Sequence, residues 1–501
     1  MAVIFALIAT VLAFFLTYIK TFLNLVRINK VARKLPGPEF HPIFGNSLAL
    51  LKSGPTGVCV KFKEWARDQV ASGSSVMRSM SAGEMFMWPL NGETAAKILD
   101  STTELDKGDG YRFLKQWLDG GLLLANGGER WRSHRKMLTP TFHFAKLEGY
   151  LDVFNTESKI LIDQIEKFAD SGETIDMYPY LKRCLLDIIC ATAMGAKINA
   201  QINHDHEYLH AVGQFTKLTM DYRIKPWLQN PLIFKLLGYR AKTDEYLATL
   251  RGFSEKVIHE RREAIASGEI EKETSKRMMN FLDLLLSQED SNALSEEDIR
   301  EEVDTFMFAG HDTTTTSSSF ALWNIAHHPE VQKKVYEELV EVFGEDSRTD
   351  VTLEHIRKLT YFDRVLKESK RIIAPIPFYQ RKLRNDMEID GYTIPAGSNI
   401  TISPMLIHNN AETYPQPEKF NPDRFLPDEI AKRHPYDFIP FSAGLRNCIG
   451  QKFAQLNEKV LMSHILRNFK IEPTLGYHEN APCIEVVTKP SKGVPLKLIR
   501  R

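Results

Sequence analysis

The chain has 501 residues, 43% hydrophobic and 26% charged, with 64 Lys plus Arg against 64 Asp plus Glu. Such a length buries a sizeable core, on the order of three-quarters of the unfolded surface, and such a composition excludes both general disorder and a polytopic membrane protein. A formal net charge of zero lacks the basic excess of a protein that wraps nucleic acid, so no nucleic-acid partner is expected.

Residues 2–19 are apolar except for Thr10 and Thr17. As a helix they would span about 27 Å, the thickness of a thin bilayer core. Lys20, Arg27, Lys30, Arg33 and Lys34 follow. The positive-inside rule then keeps the rest of the chain cytosolic. The other reading, a cleaved secretory signal, lacks a charged leading region and a small-residue cleavage site. The expected organisation is a transmembrane signal anchor over 1–19, a basic and proline-containing linker over 20–38, and one catalytic domain over 39–501. Five irregularly spaced cysteines with no C-x-x-C pair argue against a disulfide framework and against structural zinc.

Long stretches between about 130 and 375 carry 3.6-residue periodicity and predict helices. Trp131 and Arg135, four apart, share one helix face. His204-Asp205-His206 and His327-His328 lack companion ligands at useful spacing and read as surface or cap residues. Pro226 to Phe234 is an apolar, helix-breaking stretch with two readings, a membrane-dipping segment or ordinary core. The charge-rich stretch 255–302 reads as solvated helices and loops. Residues 295–327 predict one long helix, opened by a capping box between Ser295 and Asp298. Its middle is unusual: Ala309-Gly310-His311-Asp312 and then seven consecutive Ser and Thr residues, 313–319. Hydroxyls that bond back to carbonyls, next to a glycine, predict a weakened, locally bulged helix. Glu368 and Arg371 form an i,i+3 pair that in isolation is ordinary.

Ten of the 24 prolines fall between Pro375 and Pro440. Short strand-like runs at 388–390 and 399–402 sit there among turns such as Asp390-Gly391. A helix resumes after Cys448. The expected fold class is mainly α with small β-sheets.

The run Phe441-Ser442-Ala443-Gly444-Leu445-Arg446-Asn447-Cys448-Ile449-Gly450 is the most informative in the chain. Cys448 at a helix start favours a thiolate. Gly444 and Gly450 remove side chains so that backbone can approach a flat ligand. Arg446 suits a carboxylate, and Phe441 stands at the entrance. A thiolate, a nearby cation and steric clearance suit haem, its iron held by sulfur and a propionate by arginine.

The pattern F-x-x-G-x-R-x-C-x-G resembles the haem-binding signature of the cytochrome P450 monooxygenases, and the likeness extends over essentially the whole chain. It implies the cytochrome P450 fold behind an anchor helix, with haem b and Cys448 as the axial iron ligand. It also implies that Glu368, Arg371 and Arg424, the last within Asn421-Pro422-Asp423-Arg424-Phe425, form a buried structural network. The family usually has glutamate where this chain has Asp423. Trp131, Arg135 and Arg381 match positions that bind haem propionates, and His408 matches a position near the haem edge. Ala309-Gly310-His311-Asp312-Thr313 resembles the oxygen-activating element, in which Thr313 bonds the bound dioxygen and organises a water while Asp312 helps supply protons.

The segments 302–314 and 135–143 look closest to family four, the fatty-acid ω-hydroxylase branch. Many members carry a glutamate ester-linked to haem where this chain has Ala309, so non-covalent haem is expected. The implied reaction hydroxylates or epoxidises a hydrophobic substrate, first of all a fatty acid. It uses O2 and electrons from NADPH through cytochrome P450 reductase, with cytochrome b5 as a further donor. The implied location is the endoplasmic reticulum membrane, single-pass, in contact with lipid. Two other readings are a xenobiotic- or steroid-type hydroxylase and a non-catalytic haem sensor or carrier. Lys382, Arg384, Lys432, Arg433, Lys452 and Lys459 form either a reductase-docking face or a merely solvated one.

Overall fold

The computed structural model describes residues 23, 25–81, 83–142, 144–203, 206–269, 279–289 and 294–501. The expected anchor over 1–19, and His204 and Asp205 of the first histidine cluster, lie outside the described residues. Among those described, no helix is long and apolar enough to cross a membrane.

Among the described residues the architecture is mainly helical with four small sheets. The organising element is the long helix Glu296–Ala326, opened by the expected Ser295–Asp298 capping box. From Ile299 to Ala326 it is buried except at Ala309, Gly310 and Thr313. A helix apolar or enclosed on all sides lies at the centre of its domain. The helix Met177–Ile189 packs along it. Gly310 permits that approach, because a Cβ there would fall 2.6 Å from the Ile189 side chain.

The predicted bulge is absent. Residues 313–319 stay helical. The Thr313, Thr314 and Thr315 hydroxyls donate to the carbonyls of Ala309, Gly310 and His311 at 2.7, 3.2 and 2.8 Å. The helix absorbs the back-bonding because its neighbours enclose it. The stretch 255–302 is also less solvated than its charge suggests: Phe281 is buried, with its ring 4.2 Å from that of Phe306.

A five-stranded sheet lies to one side, in the order Val76–Ser81, Glu84–Pro89, Asn399–Ile402, Tyr379–Lys382, Asp106–Lys107. The hairpin Met387–Ile389 with Tyr392–Ile394 turns on Asp390 and Gly391, both at positive φ. That is the geometry a two-residue Asp-Gly loop favours. The helix Gln451–Asn468 follows the cysteine run and buries Phe453, Leu456, Val460 and Leu461 as predicted.

Candidate active site

Cys448 sits in the loop 441–450, three residues before the helix Gln451–Asn468. Its N–H donates to the carbonyl of half-buried Phe441 at 2.9 Å. Gly444 has φ +67°, and a Cβ there would fall 1.8 Å from the Leu99 carbonyl oxygen. This glycine therefore seats the loop on the helix Gly92–Leu99; it does not clear space for a ligand. Gly450 does leave space, since only Cys448 Sγ, at 3.9 Å, lies near its would-be Cβ. The Cys448 side chain is accessible although protein surrounds it. Burial pushes its thiol pKa up, against the pull of the Gly450 N–H and the Arg135 charge. A coordinated metal ion deprotonates such a thiol outright.

Beside the loop lie two buried cations, Arg381 and Lys107, and the half-buried Arg446, none of them paired with a carboxylate among the described residues. Arg381 and Lys107 face each other in antiparallel register on adjacent strands, a destabilising like-charge pairing. Arg446 stacks its guanidinium 4.1 Å from the Trp131 ring centroid and gives hydrogen bonds to the carbonyls of Leu122 and Ala125, while its buried Nε has no partner. Burial lowers the pKa of all three, Arg446 to about 9, and the Arg381 charge lowers those of Arg446 and Lys107 further. Arg381, Arg446 and Lys107 pair with no carboxylate among the described residues. Buried charges require partners. An accessible thiol with three unpaired cations beside it fits a metal-bearing group with two carboxylates, and haem is such a group.

The helix Glu129–Leu138 joins this cradle to the long helix. Arg135 donates to Asn447 O at 2.8 Å and to Asn447 Oδ1 at 2.6 Å, so its two terminal nitrogens hold the cysteine loop. One residue earlier, His134 Nδ1 bonds Glu302 Oε1 at 2.8 Å, and Glu302 Oε2 accepts from Leu122 N at 3.1 Å.

Thr313 lies on the accessible face of the long helix together with Ala309 and Gly310. Asp312 does not share that face. It is fully buried, 3.8 Å from Lys182 Nζ, with both oxygens lacking a hydrogen bond. Burial opposes its ionisation, yet the Lys489 and Lys182 charges hold its pKa below the usual range.

Glu368, Arg371 and Arg424 lie together in the structure. Arg371 binds Glu368 through two hydrogen bonds of 2.6 and 2.9 Å, both side chains wholly buried. Arg424 Nε lies 3.5 Å from Glu368 Oε1. Arg371 also donates to His408 O and Pro417 O, and Glu368 accepts from Asn421 N. Asp423 stands outside, paired with Arg364 at 2.8 Å. His408 braces the chain ahead of the cysteine loop: its Nε2 accepts from Ile439 N at 2.8 Å.

Most of the suggested docking cations are engaged locally. Lys382, Arg384, Lys432 and Lys459 pair with Asp109, Asp106, Glu429 and Asp363. Arg433 stacks on Tyr414, while Lys452 is exposed. Sequence reading missed Lys107, whose place beside Arg381 follows from strand register, and Lys182 and Lys489, which reach Asp312 from distant segments.

A glycine-bordered thiol in the same loop as Arg446 and near cations suited to a dicarboxylate porphyrin fits the class of haem-thiolate proteins. A protein-family model described as Cytochrome P450 matches residues 35–497. The chain belongs to that family and is a cytochrome P450 monooxygenase. Among curated relatives, "Cytochrome P450 4c21" of Blattella germanica is 37% identical over 94% of this chain and 93% of its own length. "Cytochrome P450 4c3" of Drosophila melanogaster is 36% identical over 99% of this chain and 94% of its own. "Cytochrome P450 4V2" of Homo sapiens is 41% identical over 82% and 79%. All three belong to family four.

Proposed function

We propose that this enzyme is a membrane-anchored, cytosol-facing monooxygenase that hydroxylates a fatty acid near its methyl end or epoxidises it. The observation that carries the catalytic reading is the accessible Cys448 thiol beside the unpaired cations Arg381, Arg446 and Lys107. The fatty-acid reading draws support from the family-four likeness.

Cys448 would hold the haem iron, and Arg381, Arg446 and Lys107 would hold the propionates, with Trp131 stacked on Arg446. When bound, haem supplies the redox chemistry that activates dioxygen with electrons from NADPH through a reductase. The remaining tasks belong to side chains. Thr313 exchanges its bond to the Ala309 carbonyl for a water and holds a proton at Oγ1. Asp312 turns from Lys182 to pass protons toward it. Ala309 has no carboxylate, so no ester tethers the haem.

Membrane contact is supported by the apolar residues 2–19 and by the segment 226–237. Trp227, Leu232, Ile233, Leu236 and Leu237 there are exposed, Leu236 at 84%, which disfavours the ordinary-core reading of this stretch. Contiguous exposed apolar surface marks a protein or membrane contact.

The test is turnover of purified holoenzyme with NADPH and reductase on fatty acids and, in parallel, steroids. Hydroxylated or epoxidised fatty-acid product supports the proposal. Turnover of steroids alone would overturn its substrate.

A further inference from the structure

The hydroxyls at 313–319 do not share one role. Those of Thr313, Thr314 and Thr315 bond back to carbonyls of their own helix. Those of Thr316 and Ser317 reach out to other elements. Those of Ser318 and Ser319 are buried and bond nothing among the described residues.

Thr316 Oγ1 donates to Thr488 O at 2.7 Å. Thr488 in turn donates from N to Pro375 O and from Oγ1 to Ala374 O, both at 2.8 Å. Ser317 Oγ donates to Glu458 Oε1. The other oxygen of Glu458 accepts a hydrogen bond from Lys370 Nζ. Glu458, Lys370 and Ser317 are 3%, 4% and 8% exposed, so bulk water screens these contacts little. Both tethers lead to the helix Thr360–Ile372, which carries Lys370 and ends just before Ala374. Glu458 belongs to the helix Gln451–Asn468, which begins three residues after Cys448.

A carboxylate is a stronger acceptor than a backbone carbonyl. Glu458 thereby draws the Ser317 hydroxyl away from the carbonyl one turn back, that of Thr313. Ser317 lies about 6 Å along the helix axis from Thr313. The bridge thus ties the helix that leaves the cysteine loop to the turn that carries Thr313.

We propose that Glu458, oriented by Lys370, is a positioning residue for the monooxygenase reaction. It holds Ser317 and so sets where Thr313 Oγ1 stands relative to Cys448. A displacement of about 1 Å at a reacting group costs up to about a hundredfold in rate, so a charged joint one turn away has leverage. The inference rests on the Thr313 reading above and adds the joint that places this hydroxyl.

The test compares holoenzymes: wild type, Ser317→Ala, Ser318→Ala, Thr313→Ala and the double variant Lys370→Met/Glu458→Met, which strands no charge. Two quantities are read in each, hydrogen–deuterium exchange of the backbone amides over 309–317 and hydrogen peroxide released per NADPH. Ser317→Ala and the double variant should speed that exchange about tenfold, the worth of a charged hydrogen bond. They should also raise peroxide per NADPH by about twofold or more. Ser318→Ala, whose hydroxyl bonds nothing, should change neither. Unchanged exchange or unchanged coupling in Ser317→Ala overturns the inference, as does an equal effect of Ser318→Ala. If Thr313→Ala raises peroxide release while Ser317→Ala does not, the positioning role fails and the Thr313 reading stands. If Thr313→Ala leaves coupling unchanged, both fail.

Discussion

Thr313 and Asp312 are neighbours in the chain and face different surroundings. The threonine hydroxyl lies on the accessible face of the long helix, bonded to the Ala309 carbonyl. The aspartate is enclosed beside Lys182. A hydroxyl so placed exchanges its partner for water easily, whereas the carboxylate must first leave a cationic site. Thr313→Ala is therefore expected to keep NADPH consumption and raise hydrogen peroxide released per NADPH, read by coupled peroxide assay. Unchanged coupling would remove Thr313 from the proton path. At this scale the legible residues were those whose chemistry is local. Cysteine, glycines and arginine within ten positions declare a ligand loop. Lys107 was illegible because only its strand register against Arg381 gives it meaning. Gly310 and Gly444 were noticed for the wrong reason: Ile189 and Leu99, far away in sequence, require them.

Elements meet at the site through a few charged joints. The Glu368–Arg371–Arg424 cluster ties the helix Thr360–Ile372 to the proline-rich segment through backbone carbonyls at 408 and 417 and the amide at 421. Its members stood out from the sequence only through the family pattern, since an E-x-x-R spacing alone marks an ordinary surface pair. Removing the anion strands two arginines, one of them wholly buried. Glu368→Gln should cost about 3–5 kcal/mol and lower both the melting temperature and haem retained on purification. Full haem content with an unshifted melting curve would contradict that role. The continuous helix through 313–319 marks the opposite case, where tertiary enclosure overrode poor local propensity. Element type was legible from periodicity, but this local conformation was not.

The molecule as a whole buries several histidines in neutral form. Burial holds His311 down at about 4, and His408 and His464 down at about 3, helped by Arg371 beside His408 and Arg467 beside His464. An unfolded histidine takes its proton near pH 6.5. Below that value the unfolded chain binds protons the folded chain refuses. The stability these groups contribute is thus complete above about pH 6.5 and is lost as pH falls toward 3, by up to about 1.4 kcal/mol per pH unit for each. Melting temperature should fall across that window, and His464→Gln should flatten the fall. A pH-independent melting temperature between 7 and 4 would contradict neutral burial.

The central claim is that Cys448 is the iron ligand of a haem-thiolate enzyme. Its most direct test is the reduced, carbon-monoxide difference spectrum of purified wild type beside Cys448→Ser. A strongly red-shifted Soret band in wild type, absent from the variant, is the predicted result. The same band in both proteins, or wild-type protein that binds no haem, would contradict the claim.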